Sequence, residues 1–230
     1  MSQGELDRIR STYRSRDASG ETPYRWDNPG YLTYIQSLER ALLRAVADAG
    51  VRLTGARVLD VGCGSGYLLQ RLREYGAGDC TGIDLMESRI EEGRRRYPTL
   101  NLQAGSATEL PFPSGTFDLV TQFTCLSSIL DDDLRLAAAR EMQRVASGGW
   151  LLSFDMRGKP RLGLRPASSS VTVPIDGREL RRLFGDPALL RKAALTFDLA
   201  QYFGRHAVVA TALAALPPLR SHLLGLWRVA

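Results

Sequence analysis

Histidine is scarce in this chain, two in 230 residues, and cysteine hardly commoner, with three. The cysteines, Cys63, Cys80 and Cys125, have no spacing that a metal site uses, and their odd number leaves no complete disulfide framework. They read as free thiols of a reducing compartment, and no metal site is expected. No lysine precedes Lys159, so the Gly-Lys-Ser/Thr of a phosphate-cradling loop is excluded from everything before it. Long apolar runs are also missing. The longest, Ala207 to Leu219, falls well short of the roughly 20 residues of a spanning helix. The opening residues do not join basic side chains to an apolar run, so neither a signal nor a transit peptide is expected, and the setting is expected to be cytoplasmic. Repeats and low-complexity tracts are absent from the sequence as well.

What is present fits one globular α/β domain: 44% hydrophobic and 24% charged residues, in a length that buries a substantial core. The net charge of +5 is uneven. Residues 1–155 hold 18 basic and 21 acidic side chains (−3), and residues 156–230 hold 12 and 4 (+8). Within the second part, Arg157, Lys159, Arg161 and Arg165 crowd together, either as a solvated loop or as a funnel for an anionic substrate.

The densest information lies in Val58 to Tyr67, V-L-D-V-G-C-G-S-G-Y. A β-rich run, Ala56 to Val61, ends in glycines at alternate positions, Gly62, Gly64 and Gly66, and a helix from Tyr67 to Tyr75 follows. Strand, glycine loop and helix form the nucleotide-binding corner of a doubly wound sheet, where the backbone turns sharply and approaches a ligand that a Cβ would block. Neither frame gives G-x-G-x-x-G, since Tyr67 and Leu69 stand at the sixth positions. Asp60, just before the loop, repels a pyrophosphate and suits a cationic ligand.

The D-x-G-x-G-x-G of Asp60 to Gly66 resembles motif I of the class I S-adenosylmethionine (SAM)-dependent methyltransferases, and the likeness continues in order over about residues 56–156. Cys80 to Asp84 is the second strand, with Asp84 at its tip, 18 residues beyond Gly66, where the family binds both ribose hydroxyls. Asn101 to Ala104 is the third strand, followed by Ser106 and Ala107, where family members usually have an aspartate against the adenine amine. Phe117 to Val120 leads into the fourth strand, with Gln122 and Phe123 at its tip beneath the cofactor. Glu141 to Val145 and the Ser147-Gly148-Gly149 turn precede the fifth strand, Trp150 to Asp155. The pattern is similar to small-molecule members of the type 11 group. The resemblance thus implies SAM as cofactor, with S-adenosylhomocysteine as product. Asp60, Gly62, Cys63, Gly64, Gly66, Asp84, Leu85, Ser106, Ala107, Gln122 and Phe123 are then the expected cofactor residues. It also implies a Rossmann-like sheet of seven strands with the last antiparallel.

Outside that core, Asn28-Pro29 opens a helix running to Ala49, with an apolar stripe of Tyr31, Tyr34, Ile35, Leu38, Leu42 and Val46. Residues 1–27 are polar but carry Tyr13, Tyr24 and Trp26, so they read as a lid folding over the cofactor or as a segment packed on the sheet. Asp131 to Asp133 mark a helix N-terminus. A helix from Asp176 to about Phe184, a strand over Leu189 to Leu199, a helical insertion and a last strand over Ser221 to Val229 complete the chain. The expected organisation is one domain over 1–230: lid and helix in 1–50, SAM-binding core in 51–156, substrate-side elements and the last two strands in 157–230.

Methyl transfer is an in-line displacement at an activated carbon, so alignment and desolvation matter most, with a base for a hydroxyl or acid nucleophile. His222, at the start of a reversed last strand, and Asp155, at the tip of the fifth, are the expected catalytic candidates, with His206 behind them. A buried structural histidine is the alternative for His222. Cys125 stands where pyrimidine carbon-five methyltransferases keep a cysteine, but Ser153 to Met156 lack the second one, and no N/D-P-P-Y/F element occurs. Nucleic acid is therefore not the expected substrate. The expected acceptor is a small molecule or glycan, anionic if the arginine cluster binds it, methylated on oxygen by a monomer or homodimer. The alternatives are a SAM-binding protein without turnover, an N- or C-methyltransferase of a natural product, and a nicotinamide-binding Rossmann enzyme.

Overall fold

A computed structural model describes residues 3–18, 26–157 and 171–230. In chain order the elements are α1 (Gln3–Ala18), α2 (Pro29–Asp48), β1 (Val58–Val61), α3 (Tyr67–Glu74), β2 (Cys80–Asp84), α4 (Glu87–Arg96), β3 (Asn101–Ala104) and β4 (Leu119–Phe123). They continue with α5 (Asp132–Val145), β5 (Trp150–Met156), α6 (Gly177–Phe184), β6 (Leu189–Leu195), α7 (Phe197–Phe203), α8 (Ala207–Ala215) and β7 (Arg220–Arg228). The seven strands form one sheet in the order β3-β2-β1-β4-β5-β7-β6, and β7 runs antiparallel to both its neighbours. Chain order reverses between β1 and β4, the place where doubly wound sheets bind ligands beyond their strand ends.

Period-two alternation assigns each strand residue to a face, because successive side chains point oppositely. Val58, Leu119, Leu152, Phe154, Leu224 and Leu226 join one apolar cluster with α2 and α3. Leu59, Val61, Val120, Leu151, Leu223 and Trp227 join the other, with α5 and α6. Both faces are covered, which is why the parallel strands are almost continuously buried.

The helix starts follow local chemistry. Asn28 accepts from the Gly30 and Tyr31 amides at the head of α2, Asp131 from Leu134 at α5, and Asp176 from Arg178 and Glu179 at α6, as N-cap side chains do. Buried Arg135 ties α5 to α6 by donating to Glu179 at 3.0 Å and to the Ile129 carbonyl at 2.6 Å. The strand expected over Leu189–Leu199 stops at Leu195. Phe197 to Leu199 belong instead to α7, whose first turn carries Asp198, an acid suited to a helix N-terminus. The polar N-terminal stretch contains a 16-residue helix, α1. No helix among the described residues is long and apolar enough to cross a membrane.

Helices α2 and α7 meet at two glycines. A Cβ on Gly30 would lie 2.5 Å from the Gln201 Cα, and one on Gly204 would lie 2.6 Å from the Gly30 Cα. Gly30→Ala is therefore predicted to lower the denaturant midpoint, at a cost of about 1–3 kcal/mol, the usual range for overpacking. An unchanged midpoint would show that α7 moves away without penalty.

Candidate functional site

The C-terminal ends of the parallel strands and the start of β7 enclose a cavity of about 1180 Å³. That exceeds the roughly 300–1,000 Å³ of ordinary small-ligand sites, so a cofactor and a second molecule fit side by side.

One end of the cavity is built by the β1–α3 loop. Gly62, Gly64 and Gly66 all adopt left-handed backbone, with φ of +74°, +56° and +84°. At Gly62 a Cβ would also sit 2.8 Å from the Cys125 Sγ, so the loop after β4 closes down on the glycine. The Asp84 carboxylate accepts from the Gly64 amide at 2.8 Å and from the Met86 amide at 2.9 Å. Two backbone donors thus fix an acid on the cavity wall beside the glycine loop. Asp60 is 2% exposed, with the Thr121 hydroxyl 2.8 Å from its Oδ1. Burial dominates there, pushing its carboxyl up to about 7. The Ser106 hydroxyl accepts from the Thr108 amide at 3.2 Å, so it shapes its own turn at the cavity wall.

The other end is formed by α2, β5, β7 and the start of α7. His222 lines the cavity at 5% exposure, stacked on Phe154 with ring centroids 4.6 Å apart. Its Nε2 lies 3.1 Å from the Tyr34 hydroxyl and its Nδ1 2.9 Å from the Ser221 hydroxyl. Burial holds the imidazole down to about 3, so it is neutral through the physiological range and has one N–H to share along this chain. Tyr34 is the residue that the stripe reading undervalued. A phenol on the buried face of a helix needs a polar partner, and that requirement was its signal.

Sheet alternation separates the two expected catalytic residues. In the β5–β7 register His222 pairs with Met156 and Asp155 with Leu223, so Asp155 points to the α5–α6 face, away from the cavity wall. Gln122 points the same way. Together they hold the turn after β4: Gln122 accepts from the Cys125 amide at 2.9 Å, and Asp155 accepts from the Ser127 amide at 3.1 Å and from Gln122 Nε2 at 3.3 Å. The Asp155 carboxyl, fully buried, rises to about 6, with desolvation as the main cause. Within this turn Thr124 has φ of +59°, rare for a β-branched residue, and its flanking Phe123 and Cys125 line the cavity. Gln122 and Asp155 therefore shape the site from behind without lining it.

Of the expected cofactor residues, Asp60, Gly62, Cys63, Gly64, Asp84, Leu85, Ser106, Ala107 and Phe123 line the cavity. Gly66 does not. It is buried at the head of α3, where a Cβ would press on Leu100 at 3.0 Å. The Cys125 thiol is pushed well up by burial, with the Asp84 charge adding to it, unlike a nucleophilic thiolate. His206 lies exposed at the start of α8, apart from the cavity wall. Of the basic cluster after β5, Arg157 donates to the Arg220 carbonyl at 3.2 Å, and Lys159, Arg161 and Arg165 lie outside the described residues. The described lining holds five acids and two arginines, which gives no anion funnel there.

The N-terminal segment also packs at the site. Helix α1 crosses the cavity with Arg8 donating to the Ser128 carbonyl at 2.7 Å, Glu5 accepting from the Leu130 amide at 2.7 Å, and the Tyr13 hydroxyl 2.9 Å from Ser128 Oγ. Arg89 caps the Tyr13 ring at 4.5 Å, and Trp26 packs 4.4 Å from the Tyr67 ring. The aromatic content of a polar segment was the sequence signal for this.

An acid anchored beside a left-handed glycine loop, with a second buried acid beneath it, fits a ribose-bearing ligand with cationic groups. Comparison with known proteins agrees. Residues 58–149 match the family model described as a methyltransferase domain. The chain is 38% identical over 121 residues to a ribosomal protein L11 methyltransferase of Ralstonia pickettii, covering 53% of this chain and 39% of that protein. It is 37% identical over 124 residues to a demethylmenaquinone methyltransferase of Beutenbergia cavernae, covering 54% and 50%. The chain thus spans half or less of these relatives' length. A solved structure of a SAM-dependent methyltransferase from Mesorhizobium loti shares the fold, with a TM-score of 0.59 at 17% identity over 81% of this chain and 96% of that one. The glycine loop, the anchored Asp84 and the reversed last strand agree with that match: residues 58–149 form a methyltransferase domain, and the chain is similar to the class I SAM-dependent methyltransferases.

Proposed function

We propose that the chain moves a methyl group from SAM to an oxygen nucleophile on a small-molecule or glycan acceptor, by in-line displacement. The observation that carries this reading is the two-ended cavity, acid-anchored at one end and closed by the Tyr34–His222–Ser221 chain at the other. When bound, SAM supplies an already activated methyl carbon. Asp84 holds the ribose hydroxyls, and Asp60 offsets the cationic charge near the glycine loop. Tyr34, Phe123, Phe154 and Phe197 wall the acceptor space and exclude water from it. Helix α1 serves as the lid over the cofactor end.

A hydroxyl proton becomes acidic only as the carbon–oxygen bond forms, so a weak base suffices if it is aligned. Both ring nitrogens of His222 are engaged, so the acceptor proton reaches it through Tyr34 or Ser221. The acid excess on the described wall favours neutral acceptors over anionic ones.

Release of S-adenosylhomocysteine over a panel of hydroxylated acceptors tests this function, and no release with any of them would favour a binding protein without turnover. With an active acceptor, Tyr34→Phe and His222→Gln are each predicted to lower kcat by about 10²-fold, non-additively, while cofactor affinity stays put. Because His222 sits at about 3, kcat at saturating cofactor is predicted to show no ionisation between about pH 5.5 and 8 from this residue. A limb near the usual histidine value that vanishes in His222→Gln would contradict the assignment.

A second pH dependence belongs to Asp60. In the empty protein its carboxyl is protonated below about pH 7, so binding a cation there must displace that proton. Affinity for S-adenosylhomocysteine, which keeps the amino group, is predicted to fall toward tenfold per pH unit below about pH 7. Asp60→Asn should bind more weakly at about pH 8 and lose the slope. An unchanged slope in that variant would assign the titration to another group.

A further inference from the structure

Surface helices of folded proteins turn a polar face to water. Helix α8 does not. Its sequence, AVVATALAA, carries no charge, and among its described residues only Ala210 is buried. Val208 is 84% exposed and Val209 43%, with Leu216 just beyond at 51% and Tyr202 of α7 at 80%. These are four of the five large apolar side chains most exposed among the described residues, all within fifteen positions of sequence. Patches of this kind mark interaction sites.

The flanks are basic. Arg205 and His206 stand exposed before the helix. At its other end Arg220 donates to the Ala214 carbonyl at 2.8 Å and to the Lys192 carbonyl at 3.1 Å, which places exposed Lys192 near the helix C-terminus. Between Phe197 and Leu219 the one acid is Asp198. The insertion also adjoins the site, since Thr196, Phe197 and Asp198 line the cavity.

We propose that α8 docks on an anionic lipid surface, its apolar side chains lying at the headgroup boundary and its basic flanks meeting lipid phosphates. At a membrane surface, binding grows with the apolar area buried at the headgroup boundary and with Lys and Arg held near anionic lipid. Spanning is excluded for α8, which has nine residues. A second copy of the chain fits less well. A standard interface uses about 20–30 residues a side, and this patch is far smaller. Exposed Arg205 and Lys192 flank the patch, so two such faces would repel. The inference rests on this surface alone and is independent of which acceptor the site methylates.

Sedimentation of the full chain with vesicles tests it, comparing phosphatidylcholine alone with phosphatidylcholine containing phosphatidylglycerol. Binding is expected to rise about tenfold with the anionic lipid and to fall with added salt. Val208→Asp and Leu216→Asp should each cut it about tenfold, as a charge at the boundary would. Both positions are exposed, so the variants should keep the wild-type melting temperature, and Val208→Ser offers a milder loss for comparison. Failure of the wild type to bind, equal binding to both vesicle types, or unchanged binding by all three variants would overturn the proposal. So would a concentration-dependent dimer in solution that Val208→Asp dissolves, which would make a second copy the occupant.

Discussion

Everything at the cofactor end depends on where one carboxylate is tied. Asp84 ends β2, and its two oxygens accept from the Gly64 and Met86 amides. The first bond reaches across to the loop leaving β1, and parallel pairing of Asp60 with Gly82 and Val61 with Ile83 sets the register that allows it. The loop can meet the carboxylate only because its alternate residues take left-handed backbone, which glycine adopts without strain. A charge-assisted bond of this type is stronger than a neutral one and places the acid without help from a long side chain. The carboxylate in turn orders the start of α4 through Met86. Glycine loop, anchored acid and two helix starts are thus a single construction.

The second constraint is the strictness of strand alternation. Asp60, Phe123, Phe154 and His222 share a face with α2, and there they build the cavity wall, with Thr121 behind Asp60. Gln122, Ser153 and Asp155 occupy the opposite face of the same strands and form a buried polar knot. That knot satisfies the amides of the turn after β4 and so sustains the unusual backbone at Thr124. Buried Asp60 and His222 on one side of the sheet therefore face the cavity, while Gln122 and Asp155 on the other hold the turn after β4. Asp155 is raised toward neutrality by burial, as active-site acids often are, yet its partners are structural.

Much of this could be read from the residues. The strand, glycine loop and helix from Val58 onward carried enough local chemistry to name the corner, and Asp84 followed from its place at the next strand's tip. The caps at Asn28, Asp131 and Asp176 were legible because N-capping is a local interaction. What escaped was tertiary. The relation of Asp155 to His222 depends on the β5–β7 register, which no local pattern in either strand encodes. The run Leu189 to Leu199 mixes apolar residues with Arg191, Lys192, Thr196 and Asp198, so no break in composition marked the switch from strand to helix at Thr196. The partnership of Tyr34 and His222 spans 188 positions and was invisible for the same reason.

The central claim is that the Asp84-anchored loop holds SAM and not another nucleotide. Calorimetric titration with S-adenosylhomocysteine, beside NAD as comparison and Asp84→Ala as control, tests it most directly. Micromolar binding by the wild type is predicted, with no heat from NAD and a loss of about 1–3 kcal/mol in the variant, the cost of an unpaired ribose site. Heat from NAD alone, or equal affinity in the variant, would contradict the account.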